Sequence, residues 1–390
     1  MKKYDLDNLI NRKDTSSVKW DENVRIFGRG DVLPMWVADM DFQAPLEVSK
    51  AIMEKANHGV YGYTTISPSV HDAVKGWFQD RHGWSLNPEW FTYISGVVPA
   101  LSATIQAFSD PEDKIILFSP VYYPFYDMII NNGRKLLTSP MNYKEGRYHM
   151  DLEHFESQLD GSVKMLLLCN PHNPGGTVWT YEELKQLSEI CVKHGIVVVT
   201  DEIHADLVFK GHAYTPFASI SEEIALQTVT CIAPTKTFNI AGLQASLMVT
   251  PNQAMREKLE VFMKKQGHFT LNIFGIVATE AAYRHGAEWL EEVMEYIEEN
   301  MDLAVSFIQK EIPGVSAAKP EGTYLLWIDC TSLGLKDDEL TRLLVHKGKL
   351  ALDAGKKFGN EADGFIRMNV ACTRATLLDG LERLKQALES

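Results

Sequence analysis

Two side chains that could do chemistry stand at the ends of two β-branched runs. Lys236 lies in Thr235-Lys236-Thr237-Phe238-Asn239, shortly after Thr228-Val229-Thr230-Cys231-Ile232, and Asp201 directly follows Ile196-Val197-Val198-Val199-Thr200. Taken singly, a lysine after a strand is usually a solvated loop residue and an aspartate before a helix is usually a cap. Taken together, an amine and a carboxylate at the carboxyl ends of two parallel strands can hold one ligand that needs both. Pyridoxal phosphate is such a ligand, because its aldehyde forms an imine with a lysine amine while its protonated ring nitrogen pairs with a carboxylate.

Strands and helices must alternate to put those two residues on one sheet edge. Between about residues 45 and 250 they do: strands are expected at Phe91 to Ser95, Lys114 to Phe118, Lys135 to Thr138, Met165 to Cys169, Ile196 to Thr200, Thr228 to Ile232 and Ser246 to Thr250. Several are apolar throughout, as strands covered by helices on both faces must be. One intervening helix carries its own punctuation, with Thr180 as cap, Glu183 to complete a capping box and Gly195 after the last turn. Such units are βαβ, and ligands of these sheets sit outside the strand carboxyl ends, the edge where Asp201 and Lys236 fall. A second helix is expected from Pro99 to Phe108. After residue 251 the pattern changes to a long polar-faced helix around Glu288 to Lys310, then a smaller α+β unit with strands near Gly322 to Asp329 and Phe365 to Asn369. The expected division is an N-terminal segment (1–45) packing on the small domain, a large α/β domain (46–285) and a small α+β domain (286–390).

Composition narrows the function classes. The chain has 390 residues, 45% hydrophobic and 23% charged, with a formal net charge of -14. A nucleic-acid or anionic-membrane partner would have to act against that field, and neither is expected. The charged start, Met1-Lys2-Lys3-Tyr4-Asp5, does not fit a signal peptide, and no apolar run approaches membrane-spanning length, so a cytoplasmic protein is expected. The five cysteines are far apart and lack Cys-x-x-Cys spacing, and the twelve histidines contain no His-Glu-x-x-His. No metal site is expected. Gly28-Arg29-Gly30 does not follow a strand, so a nicotinamide loop has no support either.

Several further segments, all in chain order, give these residues a context: Met35-Trp36-Val37-Ala38-Asp39-Met40-Asp41-Phe42, Gly59-Val60-Tyr61-Gly62-Tyr63, Pro120-Val121-Tyr122-Tyr123, Asn170-Pro171-His172-Asn173-Pro174-Gly175-Gly176, Asp201-Glu202-Ile203-His204 and Phe365-Ile366-Arg367-Met368-Asn369. Together with the Lys236 segment they make the chain resemble, over essentially its whole length, the fold-type I pyridoxal-phosphate enzymes of the class I/II aminotransferase superfamily. Within that superfamily it is similar to the MalY/PatB-type cystathionine β-lyases, or C–S lyases.

The resemblance implies a large domain with a mostly parallel mixed sheet between helices and a smaller α+β C-terminal domain. It also implies a role for each matching residue. Lys236 would carry the cofactor and move the α-proton, and Asp201 would hold the pyridine nitrogen protonated. Asn173 would donate to the ring's phenolic oxygen and Tyr122 would stack on the ring; their structural alternatives are a turn residue and a core aromatic. Phosphate would be bound by the amides of Gly96, Val97 and Val98 at a helix start. Arg367 would grip the substrate α-carboxylate, with Ala38 as a further substrate contact. Tyr63 would reach into the neighbouring subunit's site, making the enzyme a homodimer with shared active sites.

At two places the chain departs from the wider aminotransferase pattern. A serine three residues before the lysine and an arginine eight after it, both phosphate contacts, are here Ala233 and Gln244. Thr235 or Thr237 offers a replacement hydroxyl, and nothing in sequence replaces the charge. The tyrosine usual three residues after the aspartate is His204, which could still reach the phenolic oxygen or stand as a satisfied histidine. The implied activity is carbon–sulfur β-elimination on L-cystathionine or another cysteine S-conjugate. An aminotransferase would need the same lysine, aspartate and arginine. A third reading is a cofactor-binding regulatory protein that contacts a transcription factor.

Overall fold

The computed structural model describes residues 4–389, and a seven-stranded sheet forms its centre. In chain order the strands are β1 (Phe91–Ile94), β2 (Lys114–Ser119), β3 (Lys135–Pro140), β4 (Val163–Cys169), β5 (Val197–Asp201), β6 (Thr228–Ile232) and β7 (Ser246–Val249). Across the sheet they run β1-β7-β6-β5-β4-β2-β3, with β7 antiparallel to both neighbours and every other pair parallel. All seven expected strands are present, with ends that coincide or differ by at most two residues. The central ones are buried along nearly every residue, which is why their sequences are continuous β-branched and apolar runs.

Helices close both faces. Helix α1 (Val97–Phe108) starts two residues before its expected position, with Gly96 as the residue ahead of its first turn. Helix α2 (Tyr181–His194) has its full capping box: Thr180 Oγ1 accepts from Glu183 N at 3.2 Å, and Glu183 accepts from Thr180 N at 2.8 Å. Gly195 ends it at φ 64°, a left-handed conformation that glycine adopts without a Cβ penalty. The one-turn helix α3 (Pro234–Thr237) follows β6 directly and carries Lys236.

The long helix α4 (Ala287–Glu311) leads into a four-stranded antiparallel sheet of β8 (Ser316–Ala317), β9 (Leu325–Asp329), β10 (Asp353–Ala354) and β11 (Phe365–Asn369), in the order β8-β9-β11-β10. Here one expectation needs correction. The strand expected from Gly322 begins only at Leu325, because Glu321 and Gly322 both donate to Gly176 O at 3.0 Å and Thr323 donates to Leu207 O at 2.6 Å. Those backbone groups are spent on the large sheet's loops and cannot extend the small ladder.

The N-terminal segment lies along the small sheet. Leu33 and Pro34 pair in parallel with Leu350 and Ala351, and Asn369 donates to Met35 O at 2.8 Å. Arg12 and Lys19 tie the same segment through Asp39 and Asp41. All five cysteines are buried. Among the described residues no helix is long and apolar enough to cross a membrane, and no group of three or more His, Cys, Asp or Glu could hold a metal ion.

Candidate active site

Because β5 and β6 are neighbours in a parallel pair, their carboxyl ends lie side by side. Asp201 is the last residue of β5, in register with Cys169 on one side and Cys231 on the other. Its carboxylate is buried and accepts a hydrogen bond from Ile203 N at 3.1 Å. Burial pushes its pKa up to about 6, against the opposing pull of that amide and of Lys236. A buried acid so short of donors is ready for one more.

Lys236 keeps part of its surface open, and its Nζ donates to Ala38 O at 2.5 Å. Desolvation brings its pKa down to about 8; Asp39 and Asp201 raise it, and Arg367 lowers it further. The shift makes the neutral amine, the form that can attack a carbonyl or accept a proton, easier to reach. The Ala38 carbonyl also accepts from Tyr324 OH at 3.0 Å. Two asparagines hold the irregular segment that presents it. Asn239 donates to Met40 O and Phe42 O and accepts from Met40 N, while Asn369 donates to Val37 O and Asp39 O.

Arg367, on β11, closes the site from the small sheet. It is buried, with Nη1 donating to Asn173 Oδ1 at 2.8 Å, Nη2 to Trp36 O at 3.1 Å, and Nη2 also to Asp353. Its guanidinium carbon lies 4.6 Å from the Phe358 ring centroid, and its Nε has no partner among the described residues. Since the Asn173 oxygen is taken by Arg367, the amide NH2 is the end of Asn173 left to face a ligand. His204 is buried with Nδ1 unpartnered, and burial, with Lys236 and Arg367 adding to it, pushes its pKa down to about 3. Tyr122 lies within electrostatic range of Arg367, Asp201 and Asp353; burial raises its pKa, and its ring meets Tyr123 edge-on at 5.2 Å.

The amides of Val97 and Val98 open α1 and, as first-turn groups, have no acceptor inside the helix. Ala233 is buried in an apolar cluster, and Gln244 is exposed in a left-handed turn at φ 50°. Thr237 does not supply the replacement hydroxyl, because its Oγ1 donates to Asp206 Oδ2 at 2.8 Å. Thr235 remains. Tyr63 stands outside this cluster, fully exposed on the Gly59–Ile66 loop that is fastened by Thr64 Oγ1 to Leu271 O.

The sequence did not bring out Asp353 or Tyr324, and it gave Trp36, Asn239 and Asn369 only as members of matching segments, without a role. Asp353 had one signal, an acid ending the apolar run Leu350-Ala351-Leu352; what it meant depended on a register, Asp353 opposite Arg367, that no local pattern carries. A cavity of about 830 Å³ lined by Trp77, Arg81, His82, Asp206 and Tyr214 among others contains neither Lys236, Asp201 nor Arg367.

A lysine of lowered pKa, an under-supplied acid, an orphaned imidazole nitrogen, open helix-start amides and a buried arginine form a donor set that suits pyridoxal phosphate and an amino acid on it. The comparisons with known proteins agree with that chemistry. The family model for aminotransferase class I and II matches residues 31–384. The chain is 49% identical to cystathionine β-lyase PatB of Bacillus subtilis, over 97% of this chain and 98% of that one. Among solved structures, a PLP-bound putative aminotransferase from Clostridium difficile superposes with a TM-score of 0.97 at 44% identity, covering 99% of this chain and 100% of that one. Cystalysin from Treponema denticola, which contains pyridoxal 5'-phosphate, gives 0.96 at 35% identity, covering 99% and 98%. Matched in this way from end to end, the chain belongs to the aminotransferase class I and II family, in its group of PatB/MalY-type cystathionine β-lyases.

Proposed function

We infer that this protein is a pyridoxal-phosphate-dependent carbon–sulfur β-lyase that converts L-cystathionine or a related cysteine S-conjugate to a thiol, pyruvate and ammonia. The observation that carries the reading is the 49% identity to PatB across 97% of the chain. The donor set described above independently supports its pyridoxal-phosphate dependence.

Lys236 would anchor the cofactor, Asp201 its ring nitrogen, the Asn173 amide and His204 its phenolic oxygen, Tyr122 its face, and Gly96, Val97, Val98 and Thr235 its phosphate. When bound, pyridoxal phosphate supplies an electron sink that weakens the bonds at the substrate α-carbon. Asp201 keeps that sink effective by holding a proton on the ring nitrogen through a charge-assisted hydrogen bond. Arg367 would take the substrate carboxylate through the N–H groups its present partners leave free, and so hold the α-carbon in one orientation. Lys236 Nζ, with a pKa near 8, accepts the α-proton and delivers a proton to the departing sulfur.

Tyr63 has no partner role within its own subunit's cluster, and its full exposure beside exposed Val60 and Tyr61 suits a loop buried by a second copy. The proposed assembly is a homodimer in which Tyr63 completes the partner's site. Mixing inactive Tyr63→Ala protein with inactive Lys236→Ala protein should then regenerate activity, since each hybrid holds one intact site; verified hybrids that stay inactive refute the shared site.

The rival reading is an aminotransferase, favoured by the description of the Clostridium difficile structure. One incubation separates the two. Purified holoenzyme is given L-cystathionine, S-alkyl cysteines and an amino-acid/keto-acid pair, and pyruvate, thiol and new amino acid are measured together. Thiol and pyruvate in equal amounts support the lyase; new amino acid without thiol overturns it.

A further inference from the structure

We propose that Lys357 sets the affinity of the site for the substrate carboxylate by offsetting the charge of Asp353 on Arg367. The inference rests on the reading above, in which Arg367 receives that carboxylate, and goes beyond it by assigning work to two residues outside the family motifs.

Asp353 on β10 faces Arg367 on β11 in register, and the two form a buried ion pair. That pair orients the guanidinium, but it also cancels it: a carboxylate approaching Arg367 and Asp353 alone meets a pair with no net charge. Buried ion pairs commonly hold geometry at this cost. Lys357 changes the balance. Its Nζ lies 2.7 Å from Asp353 Oδ1, while Arg367 occupies Oδ2, so each oxygen of the acid carries one cation. Two cations on one carboxylate leave a net charge of plus one, which matches one substrate carboxylate.

The position of Lys357 is built. Its ammonium sits 4.4 Å from the Tyr123 ring centroid and 5.6 Å from that of Trp36, inside the range where aromatic faces attract a cation. Trp36 serves both cations, its carbonyl accepting from Arg367 and its ring facing Lys357. The next residue, Phe358, stacks on Arg367, and its carbonyl accepts from Val121 N at 2.8 Å and Tyr126 OH at 2.7 Å. The turn that carries Lys357 is therefore fastened to the large sheet's loops. The Lys357 side chain is one-third exposed while Asp353 is buried, and Arg367 still pairs the acid when the lysine's charge is removed, so the effect of Lys357 should appear in binding.

The test uses holoenzyme and two ligands without a leaving group, L-alanine and L-alaninamide, their binding followed by the change in cofactor absorbance. The two differ in the carboxylate charge. Lys357→Gln should cut the preference for alanine over alaninamide by about tenfold, chiefly by weakening alanine, because one unit charge is removed near the carboxylate. Lys357→Arg should keep the preference. The double variant Lys357→Gln/Asp353→Asn should bring it back to within about threefold of the parent, since the acid and its counter-charge are removed together and Arg367 alone supplies plus one. With S-methyl-L-cysteine, Lys357→Gln should raise KM more than it lowers kcat. An unchanged preference, an equal loss for both ligands, or a double variant no better than the single overturns the proposal. Alanine cannot undergo β-elimination, so these outcomes stand whether the enzyme is a lyase or an aminotransferase, and a failure of the lyase reading appears only in the thiol and pyruvate assay.

Discussion

Asp201 ends β5 and Asp206 follows five residues later, both buried, yet their surroundings are opposite. Asp201 has the Ile203 amide at 3.1 Å, and burial drives its pKa up to about 6. Asp206 accepts from Trp77 Nε1 at 2.9 Å and Thr237 Oγ1 at 2.8 Å, with His82 Nε2 at 2.8 Å and Arg81 at 3.5 Å. Burial acts on it too, but His82, Arg81 and Thr237 outweigh it and its pKa is lowered. An acid supplied with every donor it can use is finished as structure. An acid left short is prepared for a ligand, and the contrast separates a cofactor anchor from a scaffold carboxylate more surely than burial or the adjoining cavity does.

The lysine beside Asp201 gives the largest effect. Lys236→Ala should lower turnover by more than about 10⁴-fold, because no other amine is at hand to carry the cofactor or move the α-proton. Borohydride treatment of the parent protein followed by peptide mapping should put the cofactor on Lys236, and label on another lysine would reject the assignment. Next comes Asp201→Asn, which should lower kcat by about 10²–10³-fold while leaving KM for the amino acid comparatively unaffected, since a neutral amide cannot keep the ring nitrogen protonated. Near-parental kinetics would end the idea that Asp201 is the unfinished acid.

This contrast was half legible in the sequence. Continuous runs such as Val197-Val198-Val199 announce central strands, and a lone Lys or Asp after such a run is visible because the sheet leaves it nowhere else to go. The donors were not visible. Trp77 and His82 reach Asp206 from a helix far earlier in the chain, and Asp353 reaches Arg367 only through strand register. Tertiary hydrogen bonds of this kind leave no local periodicity. The Gly322–Tyr324 stretch was misread for the same reason, as its amides answer to Gly176 and Leu207 on distant loops. The proposed phosphate cradle is made of backbone amides, so side-chain identity could indicate only that a helix begins there.

The two acids should also part company in stability, and with opposite pH dependence. Asp201 has a folded pKa above its unfolded value, so its ionisation opposes folding of the cofactor-free protein above about pH 6, and the penalty fades as pH falls toward 4. Asp201→Asn should therefore stabilise the cofactor-free protein at pH 7, by on the order of 2–3 kcal/mol, with the gain gone near pH 4. Asp206 has a folded pKa below its unfolded value; its stabilisation is present above the ordinary carboxylate range and is lost as pH falls through the lower folded value. Asp206→Asn should destabilise by about 3 kcal/mol at pH 7, as a broken buried pair does. Denaturant melts of both variants at pH 4 and pH 7 check the signs, and equal shifts for the two would erase the distinction.

The smallest expected effect tests the contact that joins the two halves of the comparison. Thr237 is the neighbour of Lys236 on α3, and its hydroxyl donates to Asp206, so one hydrogen bond ties the lysine-bearing turn to the stretch that carries Asp201. Thr237→Ser keeps the donor and should behave as the parent. Thr237→Val keeps the shape and removes the donor, leaving a buried carboxylate oxygen short of one partner, and should cost about 1–2 kcal/mol. Because Trp77 and His82 still hold Asp206 in place, the loss should stay local to the turn. The measurement is a pair of denaturant melts together with the pH midpoint of the cofactor absorbance, which reports the lysine's surroundings. A valine variant with parental stability and an unmoved midpoint would make the contact incidental, and Asp206 would then be a scaffold acid with no part in where Lys236 stands.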